Sequence, residues 1–198
     1  LHGYARASSW SDPVGLVLTG SRVTVLGGGG ITSHLLPLLA PFECDVTVIR
    51  RSGEPFPGAD RTIPVTRLHE VLPFTDVLVL ALALTNETVG IISAEELTAL
   101  PEHAWLVNVA RGGHVVTDDL VAALAAGSIA GAALDVTNPE PLPDGHPLWS
   151  ATNCLITPHV ANKPEMGLEL LEPFVAENVR RFCDGEELLA PVNVALGY

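Results

Sequence analysis

The chain has 198 residues, with 23 Asp and Glu against 10 Lys and Arg and a formal net charge of −13. That balance excludes a nucleic-acid surface, which needs clustered basic side chains to neutralise phosphate. A hydrophobic fraction of 47% excludes overall disorder, and no apolar run nears the ~20 residues of a bilayer span.

In chain order, the first strand is predicted at residues 22–26 (RVTVL), a β-branched run that meets four glycines at once. Further strands are predicted at 45–49 (DVTVI), 76–82 (DVLVLAL), 104–109 (AWLVNV), 132–136 (AALDV) and 153–156 (NCLI). They lack polar alternation, so both faces are read as buried. Helices are predicted at 31–40, 67–72, 94–100 and 118–126, with a long final helix at 165–184 interrupted at Pro173. Pro37 predicts a kink in the first helix. Ser93 and Glu96 have the spacing of a capping box, Thr117 is read as the N-cap of the next helix, and Gly127 as its left-handed terminus.

Strands alternating with helices predict an α/β fold: a Rossmann-type doubly wound parallel sheet with helices on both faces. Residues 1–20 read as a hinge and lead-in with Trp10 as a core anchor. Residues 21–162 read as the Rossmann domain, and 163–198 as a C-terminal helix and tail. Cys44, Cys154 and Cys183 are odd in number and far apart, with no CxxC. They read as small buried thiols of a reduced compartment, so the expected location is cytoplasmic and no metal site is expected.

After the first strand, Gly27-Gly28-Gly29-Gly30-Ile31-Thr32 has the placement of a dinucleotide fingerprint. Gly27 suits the tight turn, and Gly29 lets the backbone approach a pyrophosphate. Thr32 stands where the third glycine is expected, which weakens the match or widens the helix–strand packing. NAD enzymes carry an acid at the end of the second strand. Here that place holds Arg50 and Arg51, and Asp45 lies at the wrong end of the strand. A guanidinium pairs with a 2′-phosphate that a carboxylate would repel, so the cofactor expectation is NADP or NAD, leaning to NADP.

Past the fourth strand come Val107-Asn108-Val109-Ala110-Arg111-Gly112-Gly113, then Gly131 to Val136 (GAALDV), Pro139-Glu140-Pro141-Leu142-Pro143, His146 to Trp149 (HPLW) and Ile156-Thr157-Pro158-His159. In this order and approximate spacing the pieces resemble the D-isomer-specific 2-hydroxyacid dehydrogenase family, from about Trp10 onward. The resemblance implies hydride transfer between NAD(P)H and a 2-keto or D-2-hydroxy acid of glyoxylate/hydroxypyruvate or phosphoglycerate type. It implies Arg111 as the group that binds the substrate carboxylate and carbonyl, His159 as general acid/base and Glu140 as its acidic partner. It implies further cofactor contacts from Gly30, Ile31, Ala83, Leu84, Thr88, Val109, Ala110, Arg111, Asp135, His159 and Asn162. Histidine supplies a proton near neutral pH, a carboxylate fixes its tautomer, and arginine recognises a carboxylate bidentately.

His34, His69, His103, His114 and His146 are read as structural. Three positions depart from the family pattern. Ala83 stands where relatives have Pro, Val116 where they have Asp or Asn, and Val160-Ala161-Asn162 where many have a small pair ending in Gly. The resemblance also implies an amino-terminal substrate domain that this sequence lacks, hence poor turnover by these 198 residues alone. It implies a homodimer formed by cofactor domains, with a small-molecule acid as the other partner and neither nucleic acid nor membrane. A non-catalytic NAD(P)-sensing or dimerisation module on the same fold is the alternative; a related dehydrogenase for formate or phosphonate is a third.

Overall fold

A computed structural model of the chain describes residues 16–162 and 164–194. Most of the lead-in, Trp10 included, and the last four residues of the tail lie outside the described residues. The elements are β1 (Arg22–Leu26), α1 (Gly30–Leu39), β2 (Asp45–Arg50), β3 (Arg61–Pro64), α2 (Leu68–Val71), β4 (Val77–Leu80), α3 (Ala94–Ala99), β5 (Trp105–Asn108), α4 (Thr117–Ala126), β6 (Gly131–Leu134), β7 (Cys154–Ile156) and α5 (Pro164–Asp184). The seven strands form one sheet in the order β3-β2-β1-β4-β5-β6-β7. Every pairing is parallel. This is the predicted Rossmann-type sheet, and its strand order reverses between β1 and β4.

Alternation along the strands divides the apolar residues between two cores. Val23, Val25, Val46, Val48 and Val79 pack with Leu36 and Leu39 of α1. Leu78, Leu80 and Leu106 point the other way and pack with Leu68 of α2, Leu97 of α3 and Leu120 of α4. Helices therefore cover both faces, and strands buried on both sides carry no polar alternation. Ser93 and Glu96 form the capping box that starts α3, and Gly127 ends α4 at φ +69°. The chain separates into two units, one ending at Ile156 that holds the whole sheet and one beginning at Thr157 that holds α5. Among the described residues no helix is long and apolar enough to cross a membrane.

Several local expectations are corrected. β3 was not predicted: it is a four-residue edge strand ending in Pro64, too short and too exposed for a hydrophobic signal. The helix expected at 67–72 is only the single turn Leu68–Val71 between two 3-10 turns, the second of which has Pro73 near its start. α4 begins at Thr117, not Asp118, with Val116 at the cap position. The Thr117 hydroxyl instead donates to the Asn138 carbonyl. α5 runs through Pro173 unbroken. Cys183 is exposed on α5, whereas Cys44 and Cys154 are half-buried, and all three are free thiols. Burial pushes the Cys154 thiol up to about 11, so it is no nucleophile at neutral pH.

At the amino-terminal edge of the sheet Asp76 joins three strand starts. Its carboxylate accepts from the Arg22 backbone N–H at 2.8 Å and from Arg22 Nε at 3.1 Å. His103 Nε2 lies 2.8 Å from Asp76 Oδ1. The Arg22 guanidinium, aided by that backbone N–H and by His103, holds the Asp76 carboxyl well below the usual carboxylate range despite its burial.

Candidate functional site

The register aligns Leu26 with Ile49 and Leu80, Leu80 with Asn108, and Asn108 with Leu134. The residues that follow these five, Gly27, Arg50, Ala81, Val109 and Asp135, therefore emerge side by side at the carboxyl edge. In an open parallel sheet that edge, at the point where strand order reverses, is where ligands bind. There the β1 and β4 chains nearly touch. Gly27 has φ +120°, and a Cβ on it would lie 2.2 Å from the Ala81 carbonyl oxygen. Only glycine fits such an approach.

The turn then delivers Gly29 and Gly30 to the amino end of α1. Gly29 occupies the N-cap without any side chain to satisfy the first N–H groups. A Cβ on either glycine would meet no atom within 4 Å. Exposed N–H groups at a helix start with open space above them suit an anion such as a pyrophosphate. Thr32 is fully buried, and its hydroxyl donates to the Gly27 carbonyl at 2.7 Å, bracing the turn from below. That contact is what the third position of the fingerprint does here.

At the end of β2 the two arginines differ. The Arg50 side chain runs past Gly28, and its guanidinium carbon sits 5.9 Å from the centre of the Phe56 ring. Among the described residues the Arg50 guanidinium has no hydrogen-bond or ion-pair partner. Arg51 is paired with Glu87 at 2.6 Å. Asp45 sits at the opposite end of the strand, where both its oxygens accept from Arg61 Nη2 at 2.9 Å. No acid thus stands near Arg50 along β2 itself.

The loop after β4 contains Ala83, Leu84 and Thr88. The Thr88 hydroxyl donates to the Ala83 carbonyl at 2.8 Å and accepts from the Thr85 N–H at 2.8 Å, closing the loop on itself. After β5 the turn holding Val109, Ala110 and Arg111 is built by Asn108, which is 1% exposed. Its Oδ1 accepts from the Ala110 N–H at 3.0 Å, and its Nδ2 donates to the Arg111 carbonyl at 3.0 Å. The Arg111 side chain is exposed, and its Nη1 donates to the Ala110 carbonyl at 2.7 Å. Behind it, Gly112 meets the loop after β6 so closely that a Cβ would lie 1.9 Å from the Thr137 carbonyl oxygen. Asp135 is buried at the start of that loop, and Glu140 is exposed further along it.

The first unit thus places the glycine turn, Arg50, the 82–88 loop, Arg111, Asp135 and the Glu140 loop along one sheet edge. His159 and Asn162 belong to the second unit, where both are exposed. The His159 backbone is left-handed at φ +52°, and its N–H donates to the Thr157 carbonyl at 3.0 Å. Asn108 carries no expectation of its own from the sequence, and the partners of Thr32 and Thr117 were not anticipated. The available signal was a lone amide inside an apolar strand, since a buried polar group must find partners.

A family model described as D-isomer specific 2-hydroxyacid dehydrogenase, NAD binding domain, matches residues 1–161. An uncharacterised Corynebacterium melassecola protein from the proB 3′ region is 47% identical over 176 residues, covering 89% of this chain and 58% of its own length. The chain therefore spans little more than half of that curated relative. Among solved structures, a D-isomer specific 2-hydroxyacid dehydrogenase from Xanthobacter autotrophicus, in complex with NADPH, is 36% identical. It aligns over 100% of this chain and 81% of its own, with a TM-score of 0.89. An NADPH-dependent glyoxylate/hydroxypyruvate reductase from Sinorhizobium meliloti, in complex with NADP, is 29% identical over 100% of this chain and 63% of its own, also at 0.89. A phosphoglycerate dehydrogenase from Lactobacillus plantarum is 31% identical over 93% of this chain and 59% of its own, at 0.76. The sequence pieces, the sheet and its carboxyl edge thus have one common explanation: the chain belongs to the D-isomer specific 2-hydroxyacid dehydrogenase family and carries its NAD binding domain.

Proposed function

We propose that this chain binds NADP in preference to NAD and forms the cofactor-binding, catalytic half of a 2-hydroxyacid dehydrogenase acting on a small 2-keto acid of glyoxylate/hydroxypyruvate type. The observation that carries the reading is the shared carboxyl edge, where an open glycine turn lies beside Arg50, unpaired among the described residues, and one turn of chain holds Arg111. The backbone N–H groups at Gly29 and Gly30 fit a pyrophosphate, and Arg50 fits a 2′-phosphate. When bound, the nicotinamide supplies or accepts the hydride.

The remaining chemistry falls to the chain's own residues. Arg111 pairs with the substrate carboxylate and polarises the ketone. His159 gives a proton to the ketone oxygen in reduction and takes it back in oxidation. The family motif gives Glu140 the part of acidic partner to that histidine. Support for these roles is the residue-by-residue match to the family motifs. Support for NADP is the Arg50 environment, together with the two relatives crystallised with NADPH or NADP.

Fluorescence titration with NADPH and NADH tests the cofactor. NADPH should bind more tightly, and Arg50→Gln should remove about 1.5–3 kcal/mol, or roughly 10–150-fold, from NADPH and little from NADH. A wild-type preference for NADH would refute the assignment. Catalysis is tested by His159→Asn in hydroxypyruvate reduction by the intact enzyme. A loss of about 10²–10⁴ in kcat with cofactor affinity retained is expected, and unchanged kcat would exclude His159 as the proton donor.

A further inference from the structure

His114 lies three residues beyond Arg111 and is the one histidine of the chain that is fully buried among the described residues. Its ring reaches into the loop after β4. Nδ1 stands 3.0 Å from the Thr88 carbonyl oxygen and Nε2 stands 3.2 Å from the Leu82 carbonyl oxygen. Those two carbonyls are the two ends of residues 82–88. One ring therefore spans the mouth of a loop that the Thr88 hydroxyl closes from within.

The neighbours of His114 serve the same arrangement. A Cβ on Gly113 would lie 3.2 Å from a Leu84 methyl, so the bare backbone at 113 seats the loop's apolar side chain. Backbone bonds run alongside: the Gly90 N–H donates to the Gly113 carbonyl at 2.9 Å, and the Ile92 N–H to the His114 carbonyl at 3.0 Å. The loop's own contents are otherwise poor in core contacts, since Ala83, Leu84, Asn86 and Glu87 are exposed. A loop with few apolar contacts keeps its shape only through such polar ties.

We propose that His114 is a positioning residue: its ring bridges the two ends of the 82–88 loop, donating its N–H to one of the two carbonyls and packing against the other, and so holds Ala83, Leu84 and Thr88 in the shape that receives the cofactor. The inference rests on the cofactor reading above for its consequence, but the staple itself is a property of the free protein. A filler of similar size without ring nitrogens, His114→Phe, leaves the Leu82 and Thr88 carbonyls without their ring partner. His114→Gln keeps an amide N–H that can reach one of them.

Two measurements test this. Hydrogen exchange on the ligand-free chain should show the Thr88 and Val89 amides exchanging at least tenfold faster in His114→Phe, with β1 and β4 amides unchanged and His114→Gln intermediate. Calorimetric titration with NADPH should show Kd rising about tenfold in His114→Phe, equivalent to about 1.4 kcal/mol, at unchanged stoichiometry and with partial recovery in His114→Gln. A role confined to general stability would lower the stoichiometry and speed exchange across the sheet, at unchanged Kd. If His114→Phe does not fold, His114→Gln carries both measurements. Wild-type exchange in residues 82–89 of both variants overturns the staple whether or not NADPH binds. Faster local exchange with unchanged NADPH Kd overturns the positioning role, whereas a wild-type chain that binds no NADPH fails the cofactor reading alone.

Discussion

An alanine at position 27 would place its Cβ 2.2 Å from the Ala81 carbonyl oxygen, 2.5 Å from the carbon of that carbonyl and 2.9 Å from Leu82 Cα. All three are backbone atoms, so no side chain can swing aside. Relief requires β1 and β4 to part where the Ala81 N–H donates to the Leu26 carbonyl at 2.8 Å and where Leu26 and Leu80 pack in the same core. The φ of +120° adds strain that glycine escapes. Backbone strain, overpacking and a weakened hydrogen bond together come to about 5 kcal/mol, which rivals the whole stability of many domains. Gly29→Ala is the matched control. Its Cβ meets nothing within 4 Å, and its φ of −111° suits any residue. It should cost only about 0.5–1 kcal/mol as a poorer N-cap, yet weaken NADPH binding about tenfold or more because the methyl lies over the helix start. Urea melts followed by circular dichroism, with NADPH titrations of whatever remains folded, measure both. A Gly27→Ala protein within about 1 kcal/mol of wild type, or a Gly29→Ala protein with unaltered NADPH affinity, would refute this account of the turn.

Two further predictions concern buried polar groups. Asp76→Asn should cost about 2–4 kcal/mol at neutral pH. Folding lowers the Asp76 pKa, so its contribution is complete above the unfolded value of about 4 and is lost as pH falls through the lower folded value. The gap between wild type and Asp76→Asn in urea melts should therefore narrow on acidification below about pH 4; a constant gap would contradict the assignment. Asn108→Leu leaves the Ala110 N–H and the Arg111 carbonyl without their partner. It should destabilise the chain by about 2–3 kcal/mol and raise KM for the keto acid more than KM for the cofactor, measured in steady-state assays of the intact enzyme.

What could be read in advance had a local cause. Strands β1, β2, β4 and β5 are nearly unbroken apolar runs because both faces are buried, and a run such as DVLVLAL has no other good use. The Ser93–Glu96 capping box needs only four consecutive residues. Gly27 was legible because a strand running straight into glycines is rare without a close approach. What escaped depends on contacts distant in sequence. Thr117 looked like a cap, but a carbonyl 21 residues away takes its hydroxyl. Pro64 hides β3, which pairs only with β2 at the sheet edge. His114 bonds to backbone carbonyls 26 and 32 residues away that only the folded sheet brings near it, whereas the Thr32 bond to Gly27 is local but depends on the shape of the glycine turn. The roles proposed for Arg111, Glu140 and His159 rest on ordered motifs, since nothing in their individual types separates a catalytic group from a surface charge.

The Asp76, Arg22 and His103 cluster lies where strands begin, and the residues of the first unit proposed to handle a ligand lie where they finish. A four- or five-residue strand keeps those rims roughly 13–17 Å apart, beyond the range at which substitutions ordinarily influence one another. Resistance to acid could thus be strengthened or stripped away at the one rim without retuning the chemistry at the other, and a mutational library could treat the two as separate dials.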